Sequence, residues 1–121
     1  MVNMASHNEL GKYGEKLAVS YLTNADFKIL FQNWRHSYYE IDIISSREDV
    51  LHFIEIKTRR SLHFGFPEEA VDEKKLEKLM IAAEEFLYQH PQWERVQYDI
   101  LSIHIAKNAA PEFVFIEDVA L

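Results

Sequence analysis

The chain has no cysteine, which excludes a disulfide framework and any thiolate metal site and is compatible with a reducing compartment. Glycine and proline number only three each among 121 residues, so few positions interrupt regular structure and long elements with few loops are expected. No apolar run approaches the ~20 residues that a membrane-spanning helix needs, and no membrane partner is expected. Residues 1–8 hold neither a basic n-region nor an apolar h-region, so no signal peptide is read there and the cytoplasm is the expected compartment. Positive charge is also scarce. Against 20 Asp and Glu stand 13 Lys and Arg, a net charge of −7. That balance argues against tight, metal-free binding along a phosphate backbone. A metal-dependent phosphodiesterase stays open, because its carboxylates are acidic and a bound cation inverts the local sign.

What is present is an ordinary globular balance, 48% apolar and 27% charged, on a length that suits one domain spanning residues 1–121. Ser6 and Glu9 fit a capping box that opens a helix with Ser6 as N-cap. Its buried face is expected to carry Leu10, Tyr13, Gly14, Leu17, Ala18 and Tyr21. Gly11 and Gly14 each cost this helix about 1 kcal/mol relative to Ala, which suggests that another element passes close by. Three strands follow at 27–34, 40–45 and 50–57, the last two joined by a polar turn at 46–49 and so antiparallel. Residues 58–70, with Gly65 and Pro67, read as an irregular loop. A second helix runs from the N-cap Asp72 to about Gln89, stopped by Pro91, with Leu76, Leu79, Met80, Ala83 and Leu87 as its buried stripe. Strands at 96–105 and 113–117 close the chain. The order αβββαββ predicts an α/β fold with a mixed central sheet flanked by helices.

The chemistry concentrates on two apolar strands. Asp42 lies between Ile41 and Ile43, and Glu55 between Ile54 and Ile56. Period-two alternation puts Glu55 and Lys57 on one face. Two adjacent strands that each hold a carboxylate in apolar surroundings need a partner for that charge. A hard divalent cation, Mg²⁺ or Mn²⁺, would supply one, since such ions take carboxylates, waters and phosphate oxygens. Lys57 then has a role beside the ion, orienting or deprotonating water or stabilising charge on phosphate. Glu15 falls at the edge of the first helix's buried face, within reach of the sheet carboxylates. The bland alternative is a solvent-facing strand edge, with Asp42 paired to Arg35 or Lys57. The E-x-K spacing does not decide between them: 14 Glu and 8 Lys produce about one such pair by chance, and Glu73–Lys75 is another.

The wider pattern is more specific. GKYGEKLA at 11–18, NWR at 33–35, EIDII at 40–44, FIEIKTR at 53–59, FGFPEEAV at 64–71 and YDI at 98–100 cover most of the chain. Together they resemble the YraN-type family of uncharacterised bacterial proteins. Asp42 with Glu55-x-Lys57 looks like the PD-(D/E)xK nuclease signature. The resemblance implies a restriction-endonuclease-like fold related to the Holliday-junction resolvases. It implies Asp42, Glu55 and Glu15 as metal ligands joined by the Ile56 carbonyl, with Lys57 as catalytic lysine. It further implies a metal-dependent endonuclease acting on DNA or another nucleic acid, including branched or damaged DNA, and a possible homodimer, since resolvases cut two strands symmetrically. The chain departs from the pattern at Tyr39, at Gln97 and in having no Pro before Asp42. The competing expectation is a catalytically silent module that keeps the fold and binds nucleic acid or protein.

Among the basic residues, Arg35, Arg59 and Arg60 are the expected substrate contacts. Lys74, Lys75 and Lys78 alternate with Asp72, Glu73 and Glu77 and read as a salt-bridged, solvated helix face. The six His residues show no paired spacing and are not read as ligands. Asp99, inside an apolar strand, is expected to be structural. Tyr38, Tyr39 and Phe64 are the aromatics expected near the site.

Overall fold

A computed structural model describes residues 3–60 and 72–119, with side chains from residue 9 onward in the first helix. The element order is α1 (Asn3–Asn24), β1 (Lys28–His36), β2 (Tyr39–Arg47), β3 (Val50–Arg59), α2 (Glu73–Gln89), β4 (Val96–His104) and β5 (Glu112–Ile116). This is the expected αβββαββ order. The strands form one sheet in the order β1-β2-β3-β4-β5. β3 is central and pairs antiparallel with β2 and parallel with β4, which makes the sheet mixed. The fold is the expected α/β arrangement of a mixed central sheet flanked by helices. Among the described residues no helix is long and apolar enough to cross a membrane.

The β2–β3 hairpin closes through Glu48 and Asp49, both at positive φ (52° and 65°), the conformation of a two-residue turn whose twist matches the flanking strands. The strands therefore run further into the turn than the 46–49 reading allowed. Asp72 caps α2 as expected, its side chain accepting from the backbone N–H groups of Lys74 and Lys75. Three expectations about helices are corrected. α1 starts at Asn3, so Ser6 lies inside it and is not its N-cap. In α1 the tight contacts run through Gly14, Ala18 and Leu22, whereas Tyr13 is exposed. In α2, Ala82 and Phe86 are buried with Leu79 and Ala83, while Met80 and Leu87 are only half-buried. Residues 61–71, with Phe64, Gly65 and Pro67, on which most of the expected loop falls, lie outside the described residues.

The sheet has an apolar layer on each face. Ile41, Ile44, Leu51 and Phe53 pack against Leu79, Ala82, Ala83 and Phe86 of α2. Ile43, Ile54, Leu101 and Ile103 pack with Ala18 and Leu22 of α1 and with Phe27. Each fully buried Leu, Ile or Phe contributes about 1.5–3 kcal/mol relative to exposure, so these two layers dominate the favourable side of folding. At the hairpin end, Asp99 is wholly buried. It takes a 2.6 Å bond with His52 Nδ1 and accepts from the Gln97 amide and the Asp118 N–H, each at 2.9 Å. This is the structural role expected of it. Phe27 stands edge-on to His52 and carries the Arg47 guanidinium over its ring.

The two helix glycines differ. A Cβ at Gly14 would overlap Thr58 Oγ1 on β3, while at Gly11 it would meet nothing. Close approach of α1 to β3 thus accounts for Gly14 alone. Gly11→Ala is expected to stabilise the fold by about 0.5–1 kcal/mol through helix propensity. Gly14→Ala should lose about 1 kcal/mol net, because overpacking costs about 1–3 kcal/mol. That loss should shrink in a Thr58→Ala background. Urea denaturation of the four variants checks this; equal stabilisation by both glycine substitutions would disprove the close approach.

Candidate metal and phosphate site

The site is made by a divergence of strands. Backbone pairing of β2 with β3 runs from the turn to Ile43↔Ile54 and stops there. β3 continues beside β4 to Arg59↔His104, so β2 leaves the ladder while β3 does not. Alternation in β2 slips at the same place. Ile41 and Ile44 belong to the α2-side layer and Ile43 to the α1-side layer, whereas in a regular strand Ile41 and Ile43 would share a face. Past the split, the Ile56 N–H donates to Asp42 Oδ2 at 2.8 Å. A carboxylate has taken the place of the ladder carbonyl, which satisfies the donor that the divergence leaves open.

The split opens a pocket of about 370 Å³ lined by Tyr38, Tyr39, Glu40, Asp42, Glu55, Ile56, Lys75, Lys78 and Leu79. Asp42 and Glu55 therefore face one cavity, as expected. Lys57 Nζ lies 3.1 Å from Glu55 Oε2, both side chains largely buried, which confirms that the pair shares a face. Glu15 is half-buried on α1 and is engaged by the Asn33 side-chain amide at 3.5 Å. It lines the neighbouring groove between α1 and β1 with Lys12 and Lys16, not the Asp42 pocket. Among the described residues, no three His, Asp or Glu side chains converge closely enough to enclose an ion. Asp42, Glu55 and Glu15 thus stand as a pair and an outlier.

Burial pushes the Asp42 carboxyl from its ordinary 3.8 up to about 6. The hydrogen bond from Ile56 N–H opposes this, and the negative charges of Glu55, Glu40 and Glu15 add to it. Lys75, reaching in from α2, meets the Lys57 side chain, and this contact and the like charge push its ammonium below the ordinary lysine range.

The expected substrate contacts are placed differently. Arg35 is exposed and sits 3.6 Å from Glu40, so it is not the partner of Asp42. Arg59 and Arg60 are exposed at the end of β3, and neither lines the pocket. The lysines of α2 were read as a solvated face, and for Lys75 and Lys78 that is corrected: both form the pocket's helix wall. A usable signal was present in the sequence, since Lys75 and Lys78 lie i, i+3 beside the buried Leu79, just inside a capped N-terminus. Of the three aromatics expected here, Tyr38 and Tyr39 line the pocket.

Comparison with known proteins agrees with the sequence resemblance. A model of the uncharacterised protein family UPF0102 matches residues 14–103. A UPF0102 protein of Rhodococcus opacus is 40% identical over 116 residues, covering 95% of this chain and 98% of that protein. One from Flavobacterium johnsoniae is 42% identical over 105 residues, covering 84% and 85%. Among solved structures, Hjc, a Holliday junction resolvase of Archaeoglobus fulgidus, aligns with a TM-score of 0.47 at 17% identity, over 85% of this chain and 74% of that one.

A raised acid pKa means that the folded protein holds this proton more tightly than the unfolded chain. Stability from Asp42 is therefore full below about pH 4 and lost as pH rises through about 6, a span worth at most about 3 kcal/mol. Asp42→Asn keeps an acceptor for Ile56 N–H and removes the charge. It should stabilise the protein by about 1–3 kcal/mol at pH 8 and by nothing at pH 3.5. Urea titrations at the two pH values measure this, and equal destabilisation at both would contradict a desolvated, unpaired Asp42.

Proposed function

We propose, for a chain that belongs to the UPF0102 family, that it is a divalent-metal-dependent endonuclease hydrolysing phosphodiester bonds in DNA. The observation that carries this is the convergence of a half-buried carboxylate, Asp42, with Glu55 on one pocket where β2 and β3 part, Glu55 being paired with Lys57. A fold accepts a desolvated carboxylate at such a cost where the charge has a use. The donor set suits Mg²⁺ or Mn²⁺. It is all oxygen and anionic, and Asp42's hydrogen-bond partner is a neutral N–H while three further carboxylates raise its pKa. A dication relieves that accumulated charge.

Asp42 and Glu55 would hold the ion together with the Ile56 carbonyl, and Glu15 would act from the α1 side. When bound, such an ion supplies Lewis-acid polarisation of the phosphodiester. Lys57 would be released from Glu55 to orient the attacking water or to stabilise charge growing on the phosphate. Branched or damaged DNA is the finer expectation, and it comes from the family resemblance stated at the sequence.

A second reading keeps the pocket and omits the chemistry: a module that binds nucleic acid or a protein and cleaves neither. The absence of a third converging acidic ligand among the described residues and the net −7 charge favour it. Metal affinity separates the two. On the nuclease reading, Mn²⁺ raises the melting temperature of the wild type and not that of Asp42→Asn. Cleavage of single-stranded, duplex, flap and four-way-junction DNA in Mg²⁺ or Mn²⁺ should fall at least 10²-fold in Lys57→Ala, given the size of general acid–base contributions. Metal binding without cleavage of any substrate would favour the silent module.

A further inference from the structure

The pocket has two walls of opposite sign. Glu40, Asp42 and Glu55 form the sheet side, and Lys75 and Lys78 the helix side. The helix wall is firmly placed. Leu79 anchors it in the core, and Asp72 fixes its first turn by accepting from the Lys74 and Lys75 N–H groups. Lys75 stands near enough to Lys57 of β3 to feel its like charge. Two ammonium groups held together repel each other unless an anion stands between them. Glu55 supplies part of that anion to Lys57. Lys78, one turn further on, has the same exposure to the cavity. The positive end of the α2 dipole lies at the same place and adds to the field of the two lysines.

The rim carries a third feature. Tyr38 lies at the tip of the β1–β2 hairpin, after Ser37 at φ 58°, and is 98% exposed while lining this pocket. A large aromatic left almost wholly in water beside a cationic wall is the pairing that binds unpaired nucleotides: a π-face for the base and ammonium groups for its phosphates.

We propose that Lys75, Lys78 and Tyr38 form a nucleotide-binding subsite, the lysines holding phosphates that flank the metal pocket and Tyr38 stacking on an unpaired base. The subsite rests on the nuclease reading for its position but not for its existence. It gives the substrate class as nucleic acid with single-stranded character at the pocket, and it assigns phosphate contact to α2 instead of to Arg59 and Arg60.

The test is fluorescence anisotropy of a labelled single-stranded oligonucleotide and of its duplex, with the full chain in Ca²⁺, across a salt series, alongside cleavage in Mg²⁺. Lys75→Ala and Lys78→Ala should each weaken single-strand binding about 5–10-fold and flatten the log–log salt slope by about 0.7. Lys75→Arg should retain binding, and Lys74→Ala, which does not line the pocket, should bind as the wild type does. Tyr38→Ala should lose about ten-fold on the single strand and little on the duplex, while Tyr38→Phe keeps the stack. A wild type whose binding ignores Lys75 and Lys78 overturns the subsite and leaves the nuclease reading standing. Binding that depends on all three residues without any cleavage upholds the subsite and removes the nuclease reading. Failure to bind any oligonucleotide overturns the subsite, as does Tyr38→Ala weakening single strand and duplex alike.

Discussion

One hydrogen bond organises this molecule's working end: the Ile56 N–H donating to Asp42 Oδ2 at 2.8 Å, beyond the last backbone pair of β2 and β3. A central strand cannot lose its neighbour without leaving a donor open, and a buried open donor costs about 1–3 kcal/mol. Placing a carboxylate at position 42 meets that cost and allows the strands to part. The parting creates the cavity, and the same substitution of side chain for ladder delivers an acidic group into it. Fold and site are thus coupled at a single contact. The α2 wall, the exposed rim at Tyr38 and the Glu55–Lys57 pair are all arranged around the gap this contact holds open.

Asp99, buried, and Asp42, half-buried, show what separates a carboxylate enclosed by partners from one that faces a cavity. Asp99 is enclosed by three partners, His52, the Gln97 amide and the Asp118 N–H, and it ties β4 to β3 and to the segment after β5. It opens onto no described pocket. Asp42 has a single hydrogen bond from a neutral donor, three carboxylates that raise its pKa, and a cavity in front of it. Both lie within apolar strands, with similar burial of their neighbours. Partner count and access distinguish them, and neither is written in the local sequence.

That limit explains what could be read in advance. Element order, the β2–β3 hairpin, the Asp72 cap and the shared face of Glu55 and Lys57 follow from period and turn chemistry, and the structure has them. The slip at Asp42 was illegible, because E-I-D-I-I looks like a regular alternating strand and only tertiary packing shows Ile41 and Ile43 on opposite layers. Ser6 failed as a cap because helix can continue N-terminally through Asn3, and capping competes with propagation. His52 gave no signal, since its role depends on Asp99, 47 residues away. The α2 lysines were misassigned for a related reason. Interleaved acids looked like ion-pair partners along the helix, but a helix presents Lys75 and Lys78 to one side and Glu73 and Glu77 elsewhere.

The placement of those lysines bears on how an acidic chain could take the phosphate ligand proposed for it. Net charge describes the far field, which here repels nucleic acid and slows encounter. Within a Debye length of about 8–10 Å the local arrangement governs, and there Lys75 and Lys78 line a cavity whose sheet wall is acidic. An anion alone meets both attraction and repulsion at such a site. An anion arriving with a dication would meet attraction from both walls, the cation against Asp42 and Glu55 and the phosphate against α2. On the proposed reading the arrangement would favour a metal–phosphate pair over either component, and the overall negative charge would then act as a filter against metal-free binding and be no obstacle to metal-dependent chemistry.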